Sequence, residues 1–387
     1  MKPQKISKSL ILIFIGIVFA MSFIGIVFSD IWLADLLRIK VFMQKKPNLN
    51  DIGEKNIEMI KEKYFRSDGM IESEKNKTTS ESQSYAMLIS VISGDRENFD
   101  RVWNWTKNNL QTRPTDKLFS WVWQDGKVTD MNPATDADQD IAYALYLANK
   151  KWGDESYLNE AKKIISDIWT VETKEIKGIR YVAAGNWAVQ DKNGVIINPS
   201  YLAPYEYRVF ATFDTEHNWM SLVDSSYKML EQCTGSAGLA MDWCKIGNQG
   251  NVVKDYKFGG KDGSVYSYDA LRAPYRVAVD YALHKEPRAL EYLKKNEIFT
   301  KDWKESGKIF AVYNQKGERV AENESLASYG VQLASMSLTD KDIAKEIFEK
   351  KIAVINSWEN VSFYDLSWLW FGLHFYMDEL SKDRDNP

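Results

Sequence analysis

The chain has 387 residues, 44% of them hydrophobic and 27% charged, which excludes disorder, a collagen-like fibre and a disulfide-stapled miniprotein. Its net charge of −4 is uneven: residues 1–46 carry seven Lys/Arg against two Asp (+5), and the remaining 341 carry 43 against 52 (−9). An acidic body argues against a nucleic-acid partner, whose phosphates need a basic face, and 14 Trp suit surfaces that stack on sugar rings as well as a core.

Leu10 to Phe28 is a 19-residue run without a charge, preceded by Lys2, Lys5 and Lys8. Roughly 20 apolar residues match a ~30 Å hydrocarbon core, and cations ahead of the run favour an inside N-terminus. The expectation is a cytoplasmic N-terminus at 1–9, a transmembrane signal anchor at 10–28 and a juxtamembrane linker at 29–49. A single pass would then hold the body at the outer face of the cell membrane. The alternative is a cleaved signal peptide, with Ala20 and Ser22 as a small-x-small site, and a secreted body.

Beyond the linker, apolar spacing and Gly/Pro/Asn breaks predict helices near 54–65, 80–93, 95–110, 136–151, 154–168, 200–211, 214–231, 270–284, 287–297, 324–336, 340–355 and 364–380. Turns such as Ser93-Gly94 and Trp152-Gly153 are short, whereas 111–135, 169–199, 232–269 and 298–323 are long. Strand-like alternation falls only in the long stretches, at Ile179–Val182 and Lys308–Tyr313. Twelve helices in six hairpins predict an all-α, (α/α)6 barrel over 50–387, with functional loops at one end. An irregular helical bundle fits the count as well.

Acids gather where the even-numbered helices start: Glu81, Asp136 and Asp138, Asp269, Glu324 and Asp365. In an alternating barrel these starts converge on one mouth. Acids in a first turn ordinarily cap free N–H groups and offset the helix dipole. Ala134-Thr135-Asp136-Ala137-Asp138-Gln139-Asp140 holds more carboxylates than a cap uses. Asp136 and Asp140 lie one turn apart and repel unless a ligand or hydrogen bonds engage them. The other clusters are Thr79-Ser80-Glu81-Ser82-Gln83 and Tyr266-Ser267-Tyr268-Asp269-Ala270-Leu271-Arg272. Arg272 stands three residues after Asp269, a spacing at which it can pair with that carboxylate and keep it ionised.

With Asp95-Arg96-Glu97-Asn98-Phe99-Asp100 and Asn198-Pro199-Ser200-Tyr201, these segments in this order resemble glycoside hydrolase family eight, which includes bacterial cellulases. The resemblance covers roughly residues 50–380. It implies an (α/α)6 barrel and inverting hydrolysis of β-1,4-linked sugars. By the same resemblance Glu81 falls at the general acid, Asp269 at the general base, and Asp136 at the acid that holds the distorted sugar. Tyr201 falls at a tyrosine that helps place the attacking water. Ser82 and Ala86 stand where Gly is usual and Tyr146 where an aliphatic residue is usual, which leaves the identity of the glycan open.

Glycosidic cleavage needs a proton for the leaving oxygen and an activated water opposite it, from two carboxyls of different pKa. Glu81 must hold its proton against a helix start that favours the anion, so burial and nearby carboxylates such as Asp136 are expected to raise its pKa. Inversion predicts a carboxyl separation of ~6.5–9.5 Å. Trp121, Trp123, Trp187, Tyr201, Tyr205, Tyr266 and Tyr268, together with Arg272, are the candidate sugar contacts, while Trp103, Trp105, Trp219, Trp368 and Trp370 sit at core spacing. His217, His284 and His374 are scattered, so no metal and no cofactor is expected. Cys233 and Cys244 can either bridge or stay free. The expected partners are a polysaccharide, the membrane and polysaccharide synthesis or export machinery, in exopolysaccharide or biofilm processing. Alternatives are a non-catalytic glycan-binding subunit of an export system, or a chitosanase or xylanase of the same fold.

Overall fold

A computed structural model describes residues 49–253 and 256–385. The expected anchor at 10–28 lies outside these residues, as does all but the end of the 29–49 linker. No helix among the described residues is long and apolar enough to cross a membrane.

The first half of the chain holds α1 (Leu49–Tyr64), α2 (Ser80–Ser93), α3 (Arg96–Asn109), α4 (Thr135–Trp152), α5 (Glu155–Val171), the single turn α6 (Asn186–Val189), α7 (Pro204–Phe210) and α8 (Trp219–Gln232). The second half holds α9 (Ala273–His284), α10 (Pro287–Lys294), α11 (Glu297–Ser306), α12 (Leu326–Thr339), α13 (Lys341–Ile347) and α14 (Phe363–Asp385). Helices α2, α4, α7, α9, α12 and α14 pack each on the next, and α14 returns to α2 to close the ring. Behind them lie α3, α5, α8, α10, α13 and α1, each against its sequence neighbour or, for α1, against α14. This arrangement is consistent with the expected (α/α)6 barrel.

Burial separates the two layers. Eleven of the fourteen residues of α2 are buried, five of them Ser or Gln, against five of fourteen in α3, so α2 lies inside and buries polar as well as apolar faces. Small residues let the inner helices approach. A Cβ on Gly372 of α14 would overlap the Gly330 backbone of α12, and one on Gly330 would overlap Trp368. The short turns end in Gly94 (φ 82°) and Gly153 (φ 71°), left-handed C-caps that glycine adopts without strain.

The fold is not purely helical, because the long loops carry four small antiparallel sheets. Strands β1 (Lys77–Thr79), β2 (Val122–Gln124) and β3 (Lys127–Asp130) form one. The others pair β4 (Thr173–Ile176) with β5 (Ile179–Val182), β6 (Gly194–Ile197) with β7 (Cys244–Gly247), and β8 (Lys257–Phe258) with β9 (Lys261–Asp262). The expected strand at Ile179–Val182 is β5. Lys308–Tyr313 is not a strand, since only Tyr313 makes isolated bridges there, to Tyr266 and Arg319. Helix α11 occupies a stretch read as loop. Its apolar face is only Phe299 and Trp303 among charged neighbours, and the break at Lys295-Asn296 separates it from α10. Cys233 and Cys244 are disulfide-bonded, tying the end of α8 to β7.

Candidate active site

The starts of α2, α4, α9 and α14 meet at a cleft of about 1170 Å³ whose wall includes Glu81, Tyr85, Trp121, Trp187, Tyr201, Trp243, Phe258, Tyr268, Asp269, Arg272 and Tyr364. Strand β1 runs straight into α2, and Thr79 caps that helix by accepting from the Ser82 N–H at 3.2 Å. This places Glu81 in the first turn, half-buried at the cleft. Its Oε1 accepts from the Trp121 indole Nε1 at 3.0 Å and its Oε2 from the Ser80 hydroxyl at 3.4 Å. Burial, and then the charge of Asp136, push its pKa up to about 7, against the opposing pulls of its own backbone N–H, Arg272 and Thr79.

Asp136 occupies the first turn of α4 and is wholly buried. It accepts from the Ala137 N–H at 3.0 Å and pairs with Arg272. Arg272 lines the cleft, and Asp136 stands behind it as its buried ion-pair partner. Burial raises the Asp136 pKa, while Arg272 and Arg276 pull it down. Arg272 also donates to the Tyr85 hydroxyl at 3.0 Å and lies 5.1 Å over the Tyr201 ring. The repulsion foreseen between Asp136 and Asp140 is relieved by two arginines one turn apart: Arg276 holds Asp140 through bonds of 2.8 and 2.9 Å.

Arg272 therefore pairs with Asp136 and not, as the spacing suggested, with Asp269. Helical spacing does not apply there, because α9 begins only at Ala273 and Asp269 sits in the turn before it. The Asp269 partner is Trp243, whose Nε1 donates to Oδ2 at 3.0 Å. Asp242 holds the same turn. It accepts from the N–H groups of Ser267 and Ala270 at 2.8 Å each and from the Ser267 hydroxyl. Burial and the nearby Asp269 raise the Asp242 pKa to about 6.

Trp121 and Tyr268 are each 41% exposed, which leaves ring surface free for stacking. Tyr268 is fixed: its hydroxyl accepts from Asn323 at 2.9 Å and its carbonyl from the Tyr364 hydroxyl at 2.6 Å. Trp187 and Tyr201 also line the cleft. Three other candidates do not. Trp123 packs edge-on against Trp105. Residues two apart share a face in a regular strand, but the pairing of β2 shifts between Val122 and Trp123 and separates Trp123 from Trp121. Tyr205 is 5% exposed; the first turn of α7 turns it onto Tyr143 and onto Arg276, whose guanidinium donates to its hydroxyl at 3.3 Å. Tyr266 packs in the core with Phe299 and Tyr313. The sequence reading missed Trp243, Phe258, Tyr364 and Asp242. Trp243 lies in a long loop beside Cys244, the same signal that singled out Trp187. Asp242 gives no signal, since its partners are mostly backbone groups. Among the described residues no cluster of His, Cys, Asp or Glu is arranged to hold a metal ion.

A ring of helices that brings the Glu81 and Asp269 carboxyl groups to one aromatic cleft defines a helical-barrel protein with a two-carboxyl site. The chain belongs to glycosyl hydrolases family 8, whose sequence profile matches residues 39–373. Endoglucanase 2 of Ruminiclostridium josui is 30% identical over 288 residues, which span 72% of this chain and 58% of that protein. The chain thus covers under three-fifths of that relative's length. A β-1,3-1,4-glucanase structure from Paenibacillus sp. X4 matches with a TM-score of 0.74 at 23% identity, over 86% of this chain and 92% of the other. An endo-β-1,4-glucanase structure from Acetobacter xylinum matches with a TM-score of 0.69 at 22% identity, over 86% and 100%. At such identities these structures establish the fold alone.

Proposed function

We propose that the chain is an inverting endo-glycosidase that hydrolyses β-1,4-linked glucan, with Glu81 as general acid and Asp269 as general base. One observation carries this: two carboxyl groups face one cleft, each held by an indole N–H, and burial raises the Glu81 pKa to about 7. An indole N–H only donates, so Oε1 of Glu81 stays an acceptor and the acidic proton belongs on Oε2. As the C1–O bond breaks, that proton passes to the leaving oxygen. Asp269 takes a proton from the water that attacks C1 from the opposite face. Asp136 acts through its charge on Glu81 and through Arg272. Family membership and relatives named as endoglucanases support the reaction class.

The test uses the full-length chain on soluble β-glucan, with NMR of the first product formed. An α-anomer is expected from inversion. Glu81→Gln should lower kcat by about 10²- to 10⁴-fold; equal product release from variant and wild type would remove the assignment.

We further propose that residues 10–28 anchor the enzyme at the outer face of the cell membrane, where it trims the cell's own exopolysaccharide. The apolar run behind Lys2, Lys5 and Lys8 supports this, and the Cys233–Cys244 bond suits an oxidising compartment. The chain should resist alkaline extraction from membranes and be cut by protease added to cells whose outer barrier is opened. Full release into the medium would favour the cleaved form.

A further inference from the structure

Trp243 is held more firmly than a sugar platform requires. Its ring stacks on Phe258 with centroids 3.9 Å apart and planes 17° from parallel, so one face is already covered. Tyr201 meets it edge-on at 6.3 Å and Trp187 lies tilted at 6.1 Å. The Trp243 backbone N–H donates to the Gly263 carbonyl at 2.9 Å, and the Asp242 backbone N–H donates to the Val265 carbonyl at 2.7 Å. Both residues are therefore laced to the chain leaving the β8–β9 hairpin. Glycine is needed at 263 for this approach, because a Cβ there would stand 2.9 Å from the Trp243 carbonyl oxygen. The next residue, Cys244, is bonded to Cys233 and opens β7. The Asp242-Trp243 dipeptide is thus fixed on both sides, and both of its side chains reach the turn that carries Asp269.

We propose that Asp242 and Trp243 form a positioning clamp for the Asp269 carboxylate, locked by the stacking of Phe258, so that the β8–β9 hairpin serves the reaction and not sugar binding. This rests on the reading of Asp269 as general base. The terminal torsion of an aspartate is soft, so a carboxylate in a water-filled cleft does not aim itself. Asp242 fixes the backbone of the turn. The Trp243 N–H takes Oδ2 and leaves Oδ1 to face the attacking water.

The test compares the full-length wild type with Trp243→Phe, Phe258→Ala, Phe258→Tyr, Asp269→Ala and the Trp243→Phe/Asp269→Ala double variant on soluble β-glucan. A clamp requires Trp243→Phe to lower kcat about 10- to 100-fold while KM stays within about twofold, the scale expected for a reacting group misplaced by about 1 Å. Phe258→Ala should lose about three- to tenfold in kcat by the same mechanism, and Phe258→Tyr, which keeps a ring on the indole, should recover most of that loss. Azide needs no base, so in the Asp269→Ala background the azide-supported rate should be indifferent to Trp243→Phe. A raised KM with kcat preserved, or a further loss of the azide-supported rate in the double variant, would make Trp243 a sugar contact and overturn the clamp. The underlying reading fails separately: Asp269→Ala with wild-type kcat in the absence of azide would sink the base assignment itself, whatever Trp243 does.

Discussion

Replacing the proposed general acid should stabilise the fold, and only at high pH. The Glu81 pKa stands at about 7 against an ordinary 4.5, so the folded state binds this proton more tightly than the unfolded chain. The benefit is fully present below the unfolded value and is lost as pH rises through the folded value. Above pH 7 the folded protein carries an ionised carboxyl in a site that disfavours it. At about 1.4 kcal/mol per unit the full penalty is roughly 3 kcal/mol. Glu81 opens partly onto the cleft, so solvent screening reduces this to about 1–2 kcal/mol. Glutamine keeps an acceptor for the Trp121 N–H and cannot ionise. Glu81→Gln should therefore exceed wild type by about 1–2 kcal/mol at pH 8.5, and come within about 0.4 kcal/mol of it at pH 4.5, where the folded Glu81 is neutral and the unfolded one half ionised. Urea unfolding at pH 4.5, 6.5 and 8.5 reads the difference directly. A gap that stays constant with pH, or a variant less stable at pH 8.5, would show that burial does not hold the Glu81 proton.

The same carboxyl sets the alkaline side of activity: kcat/KM should fall as pH passes about 7, and Asp136→Asn should move that limb down by about one unit; an unmoved limb would separate Asp136 from Glu81. Gly372→Ala should cost about 3 kcal/mol or more, since its Cβ would meet the Gly330 backbone with no flexible side chain to yield; urea midpoints within error of wild type would contradict the tight α12–α14 crossing. Removing the Cys233–Cys244 bond through a double alanine variant should cost about 2–4 kcal/mol, read by the same denaturation and absent if the bond does not form in the native protein.

Features set by local sequence were legible. Gly94 and Gly153 after their helices marked helix ends because capping is decided within a few residues. Of the acids gathered at helix starts, Glu81 and Asp269 line the cleft, whereas Glu324 is taken up by Tyr329 and Lys351 and Asp365 by Ser325 and Ser362. What escaped depends on which elements face each other. The partner of Arg272 is chosen by the tertiary structure, which brings the start of α4 within reach of the residue preceding α9, not by its distance along the chain from Asp269. Trp123 left the cleft through a register shift in a three-residue strand, and Tyr205 through the point at which α7 begins. Asp242 contributes through backbone N–H groups, which every sequence has.

Partner allocation explains why one cleft holds carboxyls with different duties. The starts of α2, α4, α9 and α14 border the same cleft, and the dipoles there favour anions. A general acid at such a place needs an opposing effect. Burial supplies most of it, and Asp136 adds to it in two ways: its charge raises the Glu81 pKa, and it takes the Arg272 guanidinium as its own partner. Among the described residues Glu81 makes no salt bridge, so the nearest cation acts on it only across space and after partial neutralisation by Asp136. Had Arg272 paired with Glu81, the acid would sit ionised at neutral pH and the leaving oxygen would lack its proton. The same logic places Asp269 outside this cation network, with an indole N–H as its partner. That donor can orient a carboxylate but carries no net charge with which to neutralise it.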